Sequence, residues 1–214
     1  MYNLKERGSC IMLLIIYEFG TILLPIVLFW GIYLRKKEVS LLSKIYLGVF
    51  GLYYACVLHF TGAGTVYDIK LYGIDFSSNQ LNLIPFSQEI DTVIYLLNLV
   101  LLMPCGFLLP LIVKKFDSFK RILLVNLGIS LSIELSQLFN NRKTDIDDII
   151  LNVAGAIIGY IVYRLVAKLF PKISNKNMFK ISEFVIYVMI MTIGLQITLK
   201  RNASSATAER LFHF

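Results

Sequence analysis

Charge is scarce in this chain, and its absence excludes most soluble architectures. Only 16% of the residues are Asp, Glu, Lys or Arg, whereas 57% are hydrophobic and the mean hydropathy is +0.71. A water-soluble domain of 214 residues cannot hide that much apolar surface, so the composition specifies an integral membrane protein. Histidine is nearly missing too, with two residues, and no H-E-x-x-H, G-x-S-x-G or glycine-rich phosphate loop is present. No motif calls for a metal or a cofactor. The three cysteines, Cys10, Cys56 and Cys105, sit in or beside apolar runs and form no C-x-x-C pair, which reads as small buried hydrophobes. The net charge of +7 is not gathered into a basic patch interleaved with aromatics, so nucleic acid is not an expected partner.

What is abundant is long apolar runs. They predict an all-α, polytopic transmembrane bundle of about six spans forming one domain over residues 1–214. The spans fall near 10–34, 41–61, 92–113, 119–139, 146–170 and 181–199. The first, preceded by Lys5 and Arg7, is too long for a signal-peptide core and lacks a small-x-small cleavage site. Residues 62–91 form either an extracytoplasmic loop or a re-entrant segment before the third span, and residues 200–214 read as a disordered tail. Pro104, Gly106 and Pro110 predict a kink in the third span, because prolines free backbone carbonyls that must find other partners. Lys and Arg concentrate in the loops 35–44, 114–121 and 164–180, which hold thirteen of the twenty-one. By the positive-inside tendency those loops are cytoplasmic and the opposite ends face outward.

The stretch from Glu134 to Gly159 carries polar groups between two apolar runs. Asn126, Ser130, Glu134 and Gln137 share one helical face; Asp145, Asp148, Asn152, Gly155 and Gly159 share another. The two faces are expected to meet across the fourth and fifth spans, with Gly155 and Gly159 allowing close approach. Asn98 lies near the outer end of the third span, and Asn82 and Pro85 lie in the loop before it. Ionisable groups at that depth are functional candidates by default.

The ordered motifs Asn82-Leu-Ile-Pro-Phe86, Asn98, Pro104-x-Gly106-Phe-x-x-Pro110, Glu134-x-x-Gln137 and Arg142-x-x-Asp145-x-Asp147-Asp148-x-x-x-Asn152-x-x-Gly155-x-x-x-Gly159 resemble the VanZ-like family of bacterial membrane proteins over about residues 45–168. That family is linked to resistance to teicoplanin, a lipid-tailed glycopeptide. The resemblance implies a multi-pass envelope protein in glycopeptide resistance or envelope homeostasis, and no known reaction.

Three functions compete. In the first, an outward polar pocket of Asn82, Asn98, Gln137, Arg142, Asp145 and Asn152 binds an amphiphile, either the antibiotic or a lipid-linked wall precursor, with membrane lipids around it. In the second, Glu134 and Asp148 act as a general acid/base pair on a lipid-linked or cell-wall substrate, or join Asp145 around a divalent ion while Arg142 holds phosphate. In the third, Glu18, Glu134 and Asp148 form a proton path for transport; the absence of an internal repeat weighs against it. Against all three stands a purely structural reading, in which Arg142 neutralises Asp145 or Asp148 and the polar set fixes helix packing.

Overall fold

The computed structural model describes residues 16, 20, 23–24, 26–36, 38–61, 81–87, 91–138, 144–173 and 179–193. Four helices are long and apolar enough to cross a membrane: α1 (Leu41–Thr61), α2 (Thr92–Ile112), α3 (Phe119–Leu138) and α4 (Ile146–Leu169). A shorter apolar helix, α5 (Ile181–Ile193), follows. The architecture is the expected all-α bundle. Of the six expected spans, the middle four are these helices, the sixth is α5 over its described part, and about half of the first lies outside the described residues, as do Cys10, Glu18 and the tail.

The kink is where the prolines put it. Helix α2 breaks at Leu102 into Thr92–Leu101 and Met103–Ile112, with Pro104 in the first turn of the second half. Proline lacks an N–H and tolerates that first-turn position. The Leu101 carbonyl beside the break accepts a hydrogen bond from the Tyr53 hydroxyl of α1 at 2.8 Å, which meets the demand of a dry interior for partnered backbone. At the other end the Ile112 carbonyl accepts from the Phe179 N–H at 3.1 Å, tying the entry of α5 to α2.

Glycine decides which helices touch. A Cβ at Gly155 would overlap the Leu99 carbonyl oxygen, one at Gly159 the Met103 carbonyl, and one at Gly106 the Ala156 carbonyl. The close pair is therefore α2 with α4, running parallel, and not α3 with α4 as the sequence suggested. Spacing shows which residues share a face, but not which neighbour receives it. Helix α3 meets α4 through polar atoms instead: Asn152 Nδ2 donates to Ser130 Oγ at 3.1 Å. Helices α1 and α5 pack together, with the Tyr187 hydroxyl donating to the Leu47 carbonyl at 3.3 Å and filling the space a Cβ at Gly51 would occupy.

One end of the bundle holds the turn between α2 and α3. There Asp117 accepts from Lys114 at 3.1 Å, Tyr160 at 3.3 Å and Arg164 at 3.4 Å. Partial burial pushes its carboxyl up, but the Lys114 hydrogen bond and the Lys114 and Arg164 charges outweigh it, so the carboxyl lies below its ordinary value of 3.8.

Gly155→Val is expected to lower the thermal midpoint in detergent by roughly 5 °C or more, since forced overpacking costs about 1–3 kcal/mol, while Gly128→Val, with open space around it, should unfold like the wild type. A depressed carboxyl stabilises the fold fully above its unfolded value and loses that effect as pH falls through the folded value. Stability measured from pH 5 downward should accordingly drop less steeply in Asp117→Asn than in the wild type.

Candidate functional site

Helix α4 begins at the opposite end, and its start is acidic for a physical reason. The first turn presents unpaired N–H groups and the positive end of the helix dipole, both of which favour carboxylates. Asp145 is the N-cap, its Oδ1 accepting from the Asp147 N–H at 3.0 Å.

Three other segments converge on this start. A two-residue parallel ladder joins β1 (Leu81–Asn82) to β2 (Thr144–Asp145), with Asn82 opposite Asp145. Asn82 Nδ2 donates to Asp145 Oδ2 at 3.0 Å, while its Oδ1 accepts from Ser87 Oγ at 3.0 Å and the Ile84 N–H at 3.3 Å, shaping the turn around Pro85. That turn leaves Phe86 at a φ of 56°, a left-handed conformation costing a bulky residue about 1–3 kcal/mol. The Phe86 N–H donates to Asp147 Oδ1 at 2.8 Å, and the Tyr95 hydroxyl of α2 donates to Asp147 Oδ2 at 2.6 Å. Three residues on, Asn98 Nδ2 donates to Asp148 Oδ1.

From α3, Glu134 Oε2 accepts from the Asp145 N–H at 3.3 Å, and the Glu134 carbonyl accepts from Thr144 Oγ1 at 3.1 Å. Gln137 Nε2 reaches the Thr61 carbonyl at the end of α1, 2.9 Å away. Glu134 is 2% exposed, Asp147 1% and Asn152 1%. The segment ends Thr61, Asn82–Ser87, Tyr95–Asn98, Glu134–Gln137 and Thr144–Asp148 thus form one polar layer.

Of the sequence-predicted residues, the structure gathers Asn82, Asn98, Glu134, Asp145 and Asp148 here, with Gln137 at the edge against α1. Asn152 lies deeper, against Ser130, and its Oδ1 has no hydrogen-bond partner among the described residues. Gly155 and Gly159 serve packing, against α2. Arg142 lies outside the described residues. No three His, Cys, Asp or Glu side chains group as a metal cage among the described residues, so the divalent-ion version of the enzyme reading gains nothing here.

Two residues were missed. Asp147 falls off the Asp145–Asp148–Asn152 face, yet both of its carboxylate oxygens accept hydrogen bonds, because the Asn82–Ser87 turn covers that side of α4. Tyr95 stands one helical turn before Asn98 on the same face, which was the available signal.

A family model described as VanZ/LLP1 matches residues 50–167, over half of the chain, and the protein therefore belongs to the VanZ/LLP1 family. No curated protein matches the chain, and no solved structure does.

Asp147→Asn should destabilise the Asn82–Ser87 turn more than Tyr95→Phe does. The asparagine replaces one acceptor oxygen by a donor facing another donor, at a cost of about 1–3 kcal/mol, whereas the phenylalanine removes one bond of two. Amide hydrogen exchange over residues 81–87 reads the difference; equal protection in both variants would show that Asp147 does not hold the turn.

Proposed function

We propose that this VanZ/LLP1 family membrane protein contributes to glycopeptide resistance of the teicoplanin type, or to envelope homeostasis, by engaging an amphiphile at the polar layer around the start of α4. The observation that carries the reading is convergence: four separate chain segments bring Asn82, Tyr95, Asn98, Glu134, Asp145, Asp147 and Asp148 to one level at the end of the bundle opposite the basic turns. A single helix pair can be fixed by far fewer polar contacts. Asp145 and Asp148 are only half-buried, and Leu83, Ile84 and Phe86 stand exposed beside them. Carboxylate and amide groups next to an apolar ledge suit a ligand with a polar head and an acyl tail, and the positive-inside tendency puts that ledge on the extracytoplasmic side.

One observation favours a second reading. Asp145, Asp147, Asp148 and Glu134 all accept hydrogen bonds from within the protein, which is what a structural lock requires.

The two readings part in a susceptible Gram-positive host expressing the wild type, Glu134→Gln or Asp148→Asn, with membrane levels checked by immunoblot. The binding reading expects protection selective for teicoplanin over vancomycin, lost in well-expressed variants; a lost charge-assisted contact of about 1.5–3 kcal/mol corresponds to roughly tenfold or more in affinity. Equal protection by all three proteins would leave the lock, and a changed lipid or wall-precursor profile abolished by Glu134→Gln would favour an enzyme.

A further inference from the structure

The opposite end of α4 has its own recess. A cavity of about 620 Å³ lies between the α2–α3 turn and the last turns of α4, with Lys114, Asp117, Tyr160, Arg164 and Lys168 in its wall. Three cations face one carboxylate. Asp117 is already saturated by Lys114, Tyr160 and Arg164, so it orients cations and leaves a positive surplus. The described contacts of Arg164 all run through one terminal nitrogen, to Asp117 and to the Tyr160 hydroxyl at 3.3 Å, leaving the rest of its five-donor fork available. Lys168 follows four residues later on the same helical face and makes no described hydrogen bond or ion pair. Beside these donors the wall turns apolar at Ile161, 50% exposed, and Leu165, 59% exposed.

From this juxtaposition we infer that the recess between the α2–α3 turn and the end of α4 is a binding site for the headgroup of an anionic phospholipid. A phosphate seated between Arg164 and Lys168 receives charge-assisted hydrogen bonds, with Lys114 across from it. The ordered fork of Arg164, held by Asp117 and Tyr160, reduces the entropy lost on binding. The apolar wall takes the upper acyl chain, which distinguishes a lipid from a free phosphate ion. This site is separate from the polar layer, and its occupancy does not depend on what that layer binds.

The test uses the full-length protein in mild detergent. Native mass spectrometry compares retention of phosphatidylglycerol and phosphatidylcholine of matched chains by the wild type, by Arg164→Gln/Lys168→Gln, and by Lys44→Gln/Lys120→Gln. The last pair removes the same charge from the same end without touching the recess. The wild type and the Lys44/Lys120 variant should prefer phosphatidylglycerol by roughly tenfold or more, and the Arg164/Lys168 variant should lose that preference. Three results would overturn the site: no headgroup preference in the wild type, equal loss in both double variants, or displacement of phosphatidylglycerol by millimolar inorganic phosphate. Should the Arg164/Lys168 variant fail to fold, Lys168→Gln alone takes its place.

Discussion

The backbone contact between α2 and α4 is the constraint on which the rest depends. In a bilayer, helices gain little by burying apolar surface against each other, because lipid is as apolar as leucine. What remains is packing, and here packing reaches the backbone: the Leu99 and Met103 carbonyls lie where side chains at Gly155 and Gly159 would be, and the Ala156 carbonyl lies where one at Gly106 would be. Interlocking of this kind fixes register as well as distance. With Leu99 seated on Gly155, the residues before it on α2 come level with the start of α4, and that is why Tyr95 meets Asp147 and Asn98 meets Asp148. The break at Leu102 belongs to the same device, since it lets both halves of α2 follow α4 while Tyr53 takes up the Leu101 carbonyl.

That register also explains how an acidic helix start is tolerated at this depth. Four carboxylates at the mouth of a bundle would repel one another strongly if they were held only by proximity. The described donors are neutral: side-chain amides from Asn82 and Asn98, the Tyr95 hydroxyl, and the backbone N–H groups of Phe86, Asp145 and Asp147. Each of these donors takes up part of a carboxylate's hydrogen-bonding capacity, so the acidic groups are held apart by contacts to other segments. The helix dipole of α4 adds to this, being most effective within the first turn, where Asp147 and Asp148 stand. The layer is therefore tied to several segments and still half-exposed at Asp145 and Asp148, which is the state a site for a polar headgroup needs.

Much of this was legible in the amino-acid sequence, and the exceptions have a common cause. Helical spacing correctly put Asn126, Ser130, Glu134 and Gln137 on one buried face, and proline chemistry located the kink within two residues of Pro104. Both signals are local. The partner of the glycine face was misassigned to α3 because period 3.6 describes one helix and contains nothing about its neighbours. Asp147 leaves the Asp148–Asn152 stripe, so spacing does not single it out, but in the first turn of a helix the covering element is a loop, and a loop can lie on any side. The Asn82–Asp145 ladder is two residues long and spans more than sixty positions, too short for an alternation pattern to announce it.

The two ends of α4 divide electrostatic labour along one rigid rod. Its first turn carries acidic groups and its last turns carry Arg164 and Lys168, each sign placed against the helix dipole pole it favours. Because the rod is clamped to α2 in its middle, anything that binds the basic end in the folded state also stabilises the clamp, and with it the geometry of the acidic end. Stabilisation is not signalling, however. A ligand at one end changes affinity at the other only if it distinguishes two arrangements of the rod, and close-packed backbones at Gly155 and Gly159 leave little room for a second arrangement that keeps both contacts. The fold is built to hold its polar layer still, and a lipid at the basic end would hold it stiller.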